Sequence, residues 1–321
     1  MARWGWVLVG LGGCGGAGDG PGNADGPPIH LTMSVRVEGS ANDDTVKATF
    51  EAHGARLVSA ADALDAHGAK GTFEVNSDYL GGMTAFGPEL LTGLVARGHG
   101  TGLYADLRPD VDHKGVKTAV GKMILDLDGM SLAARHASGV CSSGDWVGAL
   151  NDIGIEAATG LGAWCARSLD PLPAEYAAVT SCSAGGSCAQ PVPAELAARV
   201  VPWRADDGAA WLTPAAEGVW MLPTEGSMPC LAENVGGGSD QSCDLAADDT
   251  ATFLGQLDAA IAFSADDPEG PMRWMGLTWS IGEDVDVAAL DAFLAGIATR
   301  VDAGQAQWHT VPEALDLLSP E

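Results

Sequence analysis

Apolar and polar positions follow two rhythms along this chain, one helical and one of strand type, and the two take turns. Between Ala60 and Arg108 the exchange happens twice in succession. Leu57, Ala60, Ala61 and Leu64 recur at helical spacing up to Gly68, and Lys70–Asn76 (KGTFEVN) then reads as a strand. After a turn expected at Gly81 and Gly82, Pro88–Arg97 places Leu90, Leu91, Leu94 and Val95 on one helical face, and His99–Tyr104 reads as the next strand. On either side the alternation continues. Ile29–Glu38 is a first strand and Asp43–His67 holds a first helix; Lys114–Leu127, Asp145–Ile153, Ala246–Phe263 and Val287–Ala303 are helical in pattern. Ser131–Gly139, Ile155–Trp164, Val200–Trp203, Val219–Pro223, Trp274–Ser280 and Gln307–Thr310 supply further strands, and Pro312–Leu318 ends the series. Alternation with no change of composition predicts one domain over 29–321, a distorted α/β barrel, with chemistry where strands end and loops begin. On that reading the stretches Asn76–Asp78 and Tyr104–Arg108 border the active face.

The N-terminus breaks the pattern. Met1–Gly13 carries one basic residue, Arg3, and an apolar run from Trp4 to Leu11 that is too short to span a bilayer. It fits a secretory signal, and Leu11-Gly12-Gly13-Cys14 resembles a bacterial lipobox, in which Cys14 is lipidated and anchors the protein in the cell envelope. Residues 15–28, rich in Gly, Ala, Asp, Asn and Pro, cannot bury enough apolar surface to order and read as a flexible linker.

Charge and cysteine content then narrow the function. A net charge of -27, from 43 acidic and 16 basic residues, argues against nucleic acid as a partner. Besides Cys14 the cysteines are Cys141, Cys165, Cys182, Cys188, Cys230 and Cys243, an even set that implies disulfides in an exported chain. Connectivity is open; proximity favours Cys141 with Cys165, Cys182 with Cys188 and Cys230 with Cys243. Between Cys165 and Val200 the periodicity fails, and a disulfide-stapled insertion over one face of the barrel is expected there. No C-x-x-C spacing suggests a zinc site.

Several segments, taken in order, carry a resemblance. GAKGTFEVN (Gly68–Asn76) and ARGHGTGLYADLR (Ala96–Arg108) resemble two strands of the polysaccharide deacetylases, the NodB-homology enzymes of carbohydrate esterase family four. Arg135–Gly139 resembles their R-x-P-x-G loop, Trp164 falls at an aromatic of the following strand, and Pro202-Trp203-Arg204 with Gly218–Pro223 resembles a later segment. The late helix with Trp308-His309-Thr310 resembles their closing unit. The resemblance implies a distorted (β/α) barrel that deacetylates sugars with a divalent metal such as zinc, held by one aspartate and two histidines. A second aspartate serves as base and a late histidine as acid.

At those positions the chain departs from the family. Met33–Glu38 replaces the paired aspartates, leaving Glu38 as the one acid there, and the metal-binding histidines correspond to Tyr104 and Arg108. The reading that follows is a lipid-anchored envelope protein that binds a glycan in a cleft lacking the usual metal site, with no cofactor expected. Arg135 is expected to act near the catalytic position by pairing with Glu38, with His136 and His309 as further catalytic candidates. Arg36, Tyr104, Arg108, Trp164 and Trp279 are expected to line the substrate, the indoles as stacking platforms. Two alternatives stand beside it: an active metal-dependent deacetylase or hydrolase with relocated ligands, and a scaffold that binds another protein.

Overall fold

In a computed structural model, the structure describes residues 26–37, 42–87, 89–174, 176, 199–232, 244–281 and 287–319. Glu38 and Cys14, together with Cys182, Cys188 and Cys243, lie outside these residues. Ten strands form one sheet: β1 Ile29–Arg36, β2 Thr72–Val75, β3 Gly100–Tyr104, β4 His136–Ser138, β5 Ala157–Ala158, β6 Trp203–Ala205, β7 Val219–Met221, β8 Thr224–Ser227, β9 Arg273–Ser280 and β10 Ala306–Trp308. Their order is β6-β7-β5-β4-β3-β2-β1-β9-β8, parallel except for the β6–β7 pair. Strand β1 lies at the centre. It pairs with β9 along Ile29–Arg36, with β10 at Ile29–Leu31 and with β2 at Ser34–Arg36, so β10 and β2 share its second edge.

Strand β8 ends this order and β7 stands one place from its other end, yet only Leu222 and Pro223 separate them. The two ends of the sheet are therefore brought together by the chain itself. Met221 pairs with Ala158 of β5, and Thr224 with Gly276 of β9. In effect one kinked strand passes from one edge to the other and curls the sheet into a barrel, with proline at the kink where a ladder donor would be lost.

Among the described residues eight helices accompany the sheet: α1 Lys47–Ala66, α2 Ser77–Phe86, α3 Glu89–Ala96, α4 His113–Asp128, α5 Trp146–Asp152, α6 Ala247–Asp266, α7 Val287–Asp302 and α8 Val311–Leu318. The main core lies between helices and sheet, where Leu57, Leu64, Val120, Phe253, Phe293 and Ile297 pack with Leu31, Met33, Val35, Phe73 and Leu103. A second, smaller cluster of Ala157, Leu222, Trp274, Val311, Ala314 and Leu315 brings α8 against the strands. Helix α8 begins at a reciprocal cap, in which Thr310 Oγ1 accepts from Glu313 N at 3.2 Å and Glu313 Oε2 accepts from Thr310 N at 2.8 Å.

The expected turn at Gly81 and Gly82 is a helix. Asn76 Oδ1 accepts from Tyr79 N at 2.8 Å and starts α2, which runs through both glycines. Their role is close approach: a Cβ at Gly82 would stand 2.5 Å from Asp43 O, and one at Gly81 2.8 Å from Asp44 Cβ. Strand β8 was not anticipated as an element of its own, and β4, β5, β6, β7 and β10 are shorter than their expected runs, whereas β9 covers its run in full.

Candidate functional site

The pleat of β1 divides its side chains. Leu31, Met33 and Val35 join the helix-facing core, while Ser34 and Arg36 turn to the other face. There they meet Glu74 of β2, which is fully buried, and with it Ser138 of β4 and Thr159 just beyond β5. Ser34 Oγ donates to Glu74 Oε1 at 2.7 Å and Thr159 Oγ1 to the same oxygen at 2.9 Å. Arg36 Nε donates to Oε2 at 3.0 Å, and Ser138 Oγ donates to Oε2 as well. His136 Nε2 stands 3.3 Å from Oε1, without the alignment of a hydrogen bond, and its Nδ1 has no partner.

Three barrel strands and one strand end thus converge on a single carboxylate. Burial alone would push Glu74 up; the charge of Arg36, with contacts from His136 and Ser138, outweighs it and holds the group at about 2. Backbone shape makes room for the cluster. Gly160 has φ +62°, and a Cβ there would overlap Arg36 Nη2; a Cβ at Gly102 would overlap the His136 ring. The Arg36 guanidinium lies 5.3 Å from the centroid of the Tyr104 ring, within cation–π reach. Tyr104 Oη donates to Asp106 Oδ1 at 3.3 Å, while Arg108 is exposed and 3.3 Å from Asp110.

Solved structures of known proteins share this architecture. The chain is similar to a 4-alpha-glucanotransferase from Thermococcus litoralis, with a TM-score of 0.52 and 12% identity, over 91% of this chain and 39% of that one. The fold is a (β/α) barrel. Proteins described as polysaccharide deacetylases are also similar to this barrel. One from Mycobacterium smegmatis has a TM-score of 0.47 and 15% identity, covering 89% of this chain and 94% of that one. Another, from Pseudomonas aeruginosa PAO1, has a TM-score of 0.45 and 12% identity, covering 89% and 91%. No protein-family model and no curated protein matches the chain.

Several candidates stand elsewhere in the barrel than expected. Arg135 precedes β4 at its N-terminal end, away from the strand ends. Its Nε and Nη2 donate to the two oxygens of Glu156 at 2.6 and 2.8 Å, and Nη1 donates to Asp316 Oδ1 at 2.5 Å and to Pro312 O at 3.1 Å. These partners tie β4 to α8, and an arginine already engaged on every side with Glu156, Asp316 and Pro312 is a brace for the barrel's base. His309 is there too, after β10, with its Nε2 2.9 Å from His30 Nδ1. Trp279 is buried in the layer between sheet and helices, because the pleat of β9 turns it away from the face of Ser34 and Arg36. Trp164, in a 3-10 turn over Ala163–Ser168, is half-buried after β5, its ring against Gly162.

The Cys141–Cys165 disulfide is formed, with Cα atoms 4.8 Å apart. It joins the loop after β4 to the turn that carries Trp164. Cys165 O also accepts from Trp211 Nε1 at 3.0 Å, fixing the turn from a second side. Cys230 is disulfide-bonded as well.

Sequence reasoning gave Glu74 no role beyond its place in the Lys70–Asn76 strand. The signal was its setting: a lone charge between Phe73 and Val75, in a strand with both faces covered, requires a buried partner. Glu225 of β8 is the second such group. It is 2% exposed, its Oε2 has no hydrogen-bond partner, and burial pushes it up to about 8.

The metal implied by the fold family needs an aspartate and two histidines on one ion. The described residues do not assemble such a set: no group of three or more His, Cys, Asp or Glu converges among them. By the resemblance drawn from the sequence, Tyr104 and Arg108 correspond to the two histidines, and arginine has no lone pair to give.

Proposed function

We propose that this chain is a lipid-anchored protein of the bacterial cell envelope whose barrel binds a glycan without metal-dependent deacetylation. The observation that carries the reading is the Arg36–Glu74 pair at the C-terminal ends of β1 and β2. In a (β/α) barrel the reacting groups gather at these strand ends. Here the position is taken by a carboxylate at about 2, fully supplied with donors, which is too weak a base to activate water near neutral pH.

The carbohydrate class rests on the deacetylase-like strand and loop motifs and on the residues around the pair. Tyr104 presents a ring beside Arg36, and Trp164 sits half-exposed on a loop held by the Cys141–Cys165 disulfide. Aromatic faces with fixed polar groups suit the apolar faces and hydroxyls of a sugar ring. The lipid anchor rests on the Cys14 lipobox and on the run rich in Gly, Ala, Asp, Asn and Pro that follows it.

A panel of acetylated and deacetylated chitooligosaccharides, xylans and peptidoglycan fragments, titrated against the purified residue 29–321 protein, tests the reading. Binding to at least one of them is expected, with Trp164→Ala weakening it about tenfold, corresponding to roughly 1–2 kcal/mol of stacking. No acetate release above buffer is expected with zinc or cobalt added. Acetate release that Glu74→Gln leaves intact would favour the hydrolase with relocated ligands. Cys14→Ala should move the full-length protein from the membrane to the soluble fraction.

A further inference from the structure

At the base of the barrel two imidazoles meet. His30 at the start of β1 and His309 just after β10 are both half-buried, with His30 Nδ1 2.9 Å from His309 Nε2 and ring centroids 4.9 Å apart. A contact of that length between two ring nitrogens needs a proton in it: one ring donates and the other accepts. The neutral pair keeps its second proton on the outer nitrogen of the accepting ring. A third settles on the outer nitrogen of the donating ring, where it leaves the bond in place and strengthens it by charge. A fourth has only the accepting nitrogen left to occupy, so the bond is lost and two cations face each other. The pair accommodates one positive charge and not two.

This contact lies where β10 and α8 dock on the barrel. Strand β10 stands off the main strand order and meets β1 over three residue pairs, Ile29–Leu31 with Ala306–Trp308. Just beyond them, His309 N donates to Leu31 O at 2.9 Å and Val311 N to Thr72 Oγ1 at 2.9 Å, and α8 packs against Leu222 and Trp274.

We propose that the His30–His309 pair is an acid-released latch that holds β10 and α8 against the base of the barrel. Burial lowers both imidazoles; the charge of His309 lowers His30 further, to about 4, while Glu313 pulls His309 the other way. Both groups are lowered from 6.5, so the docked unit is fully stable above pH 6.5 and loses stability as pH falls from there toward 4. Among the described residues, the charged group acting on the pair from outside is Glu313 of α8, whose Oε2 accepts from Thr310 N at the helix start. Beside His30, β9 presents Trp274 and β10 Gln307, and β2 presents Thr72 to α8; none of these titrates. Arg273 of β9 is engaged by Asp267, and the next ion pair along α8 joins Asp316 to Arg135. Undocking parts Arg135 from Asp316 and Pro312, so β4, which carries Ser138 to Glu74, loses its brace. The inference does not rest on what the barrel mouth binds.

Hydrogen exchange of the full-length chain, expressed as protection over the intrinsic rate at each pH, tests the latch. Protection over residues 306–318 should fall roughly a hundredfold from pH 7 to pH 4, as the shift of His30 to about 4 requires, while β1, β2 and β9 keep theirs. His30→Gln keeps a hydrogen-bonding side chain that gains no charge, and its protection over 306–318 should be nearly equal at the two pH values. His309→Gln serves in the same way where the first variant fails to fold. Asp316→Asn should still loosen in acid. In histidine NMR of the wild type, His30 should titrate near pH 4. The proposal is overturned if wild-type protection over 306–318 is the same at pH 4 and pH 7, or if His30 titrates at its ordinary value. It is equally overturned if a folded glutamine variant loosens in acid as the wild type does, or if Asp316→Asn alone removes the loosening.

Discussion

Two buried glutamates titrate in opposite directions, and each leaves its own mark on stability. Glu74 is held at about 2 against an ordinary 4.5, so its contribution is fully present above pH 4.5 and is lost as pH falls toward 2. Glu225 is raised to about 8, so the folded protein keeps a proton that the unfolded chain releases above pH 4.5. Its contribution is present at low pH and is lost as pH rises toward 8. Urea unfolding between pH 3 and 9 should resolve both limbs. Glu225→Gln should flatten the upper limb and raise stability at pH 8 by roughly 4–5 kcal/mol, at about 1.4 kcal/mol for each pH unit over which the proton is retained. An unchanged slope between pH 5 and 8 would refute the burial argument. Glu74→Gln should flatten the lower limb and destabilise at pH 7 by roughly 3–5 kcal/mol, because it breaks the buried ion pair with Arg36. The residue scale is also where the sequence was least legible. Arg36, Tyr104 and His136 were recognised as site candidates and do come together, but their common partner, Glu74, was invisible to motif matching. Trp279 shows the other difficulty: on a strand, an error of one position in the pleat moves a side chain from one face to the other.

Elements were more legible than residues, because hydrophobic period reports which face is buried and needs no partner to be identified. Helices α1, α4, α6 and α7 follow their apolar stripes closely. Helix α2 does not, since Gly81 and Gly82 read as a turn while the reason for them lies in the chain segment at Asp43 and Asp44. Contacts between distant segments leave no periodic trace. The two kinds of glycine should respond oppositely to substitution. Gly82→Ala should destabilise by about 1–3 kcal/mol through overlap with Asp43 O and Phe50, whereas Gly93→Ala, in open space on α3, should stabilise by up to about 1 kcal/mol. Melting temperatures of the two variants decide this, and a stabilising Gly82→Ala would contradict the packing described.

At the scale of the whole molecule, the disulfide between Cys141 and Cys165 closes a loop of 24 residues in sequence separation that includes α5 and β5. Replacing both cysteines by serine should cost about 3 kcal/mol, read as a lower urea midpoint, with Trp164-dependent glycan binding weakened at the same time. Fold class was readable from the alternation of strand and helix; the closure of the barrel was not, because Leu222-Pro223 looks like the end of a strand. That two-residue link has a mechanical meaning. A barrel closed by hydrogen bonds can breathe by letting one ladder slip, but here the seam is a covalent tether of fixed length between Met221 and Thr224. The tether acts as a gauge: its length limits how far the β5 and β9 edges can separate, and so the width of the opening above Arg36. Lengthening it by two or three glycines should leave the strands intact and let the rim spread, turning a closed vessel into one whose aperture is set by the engineer.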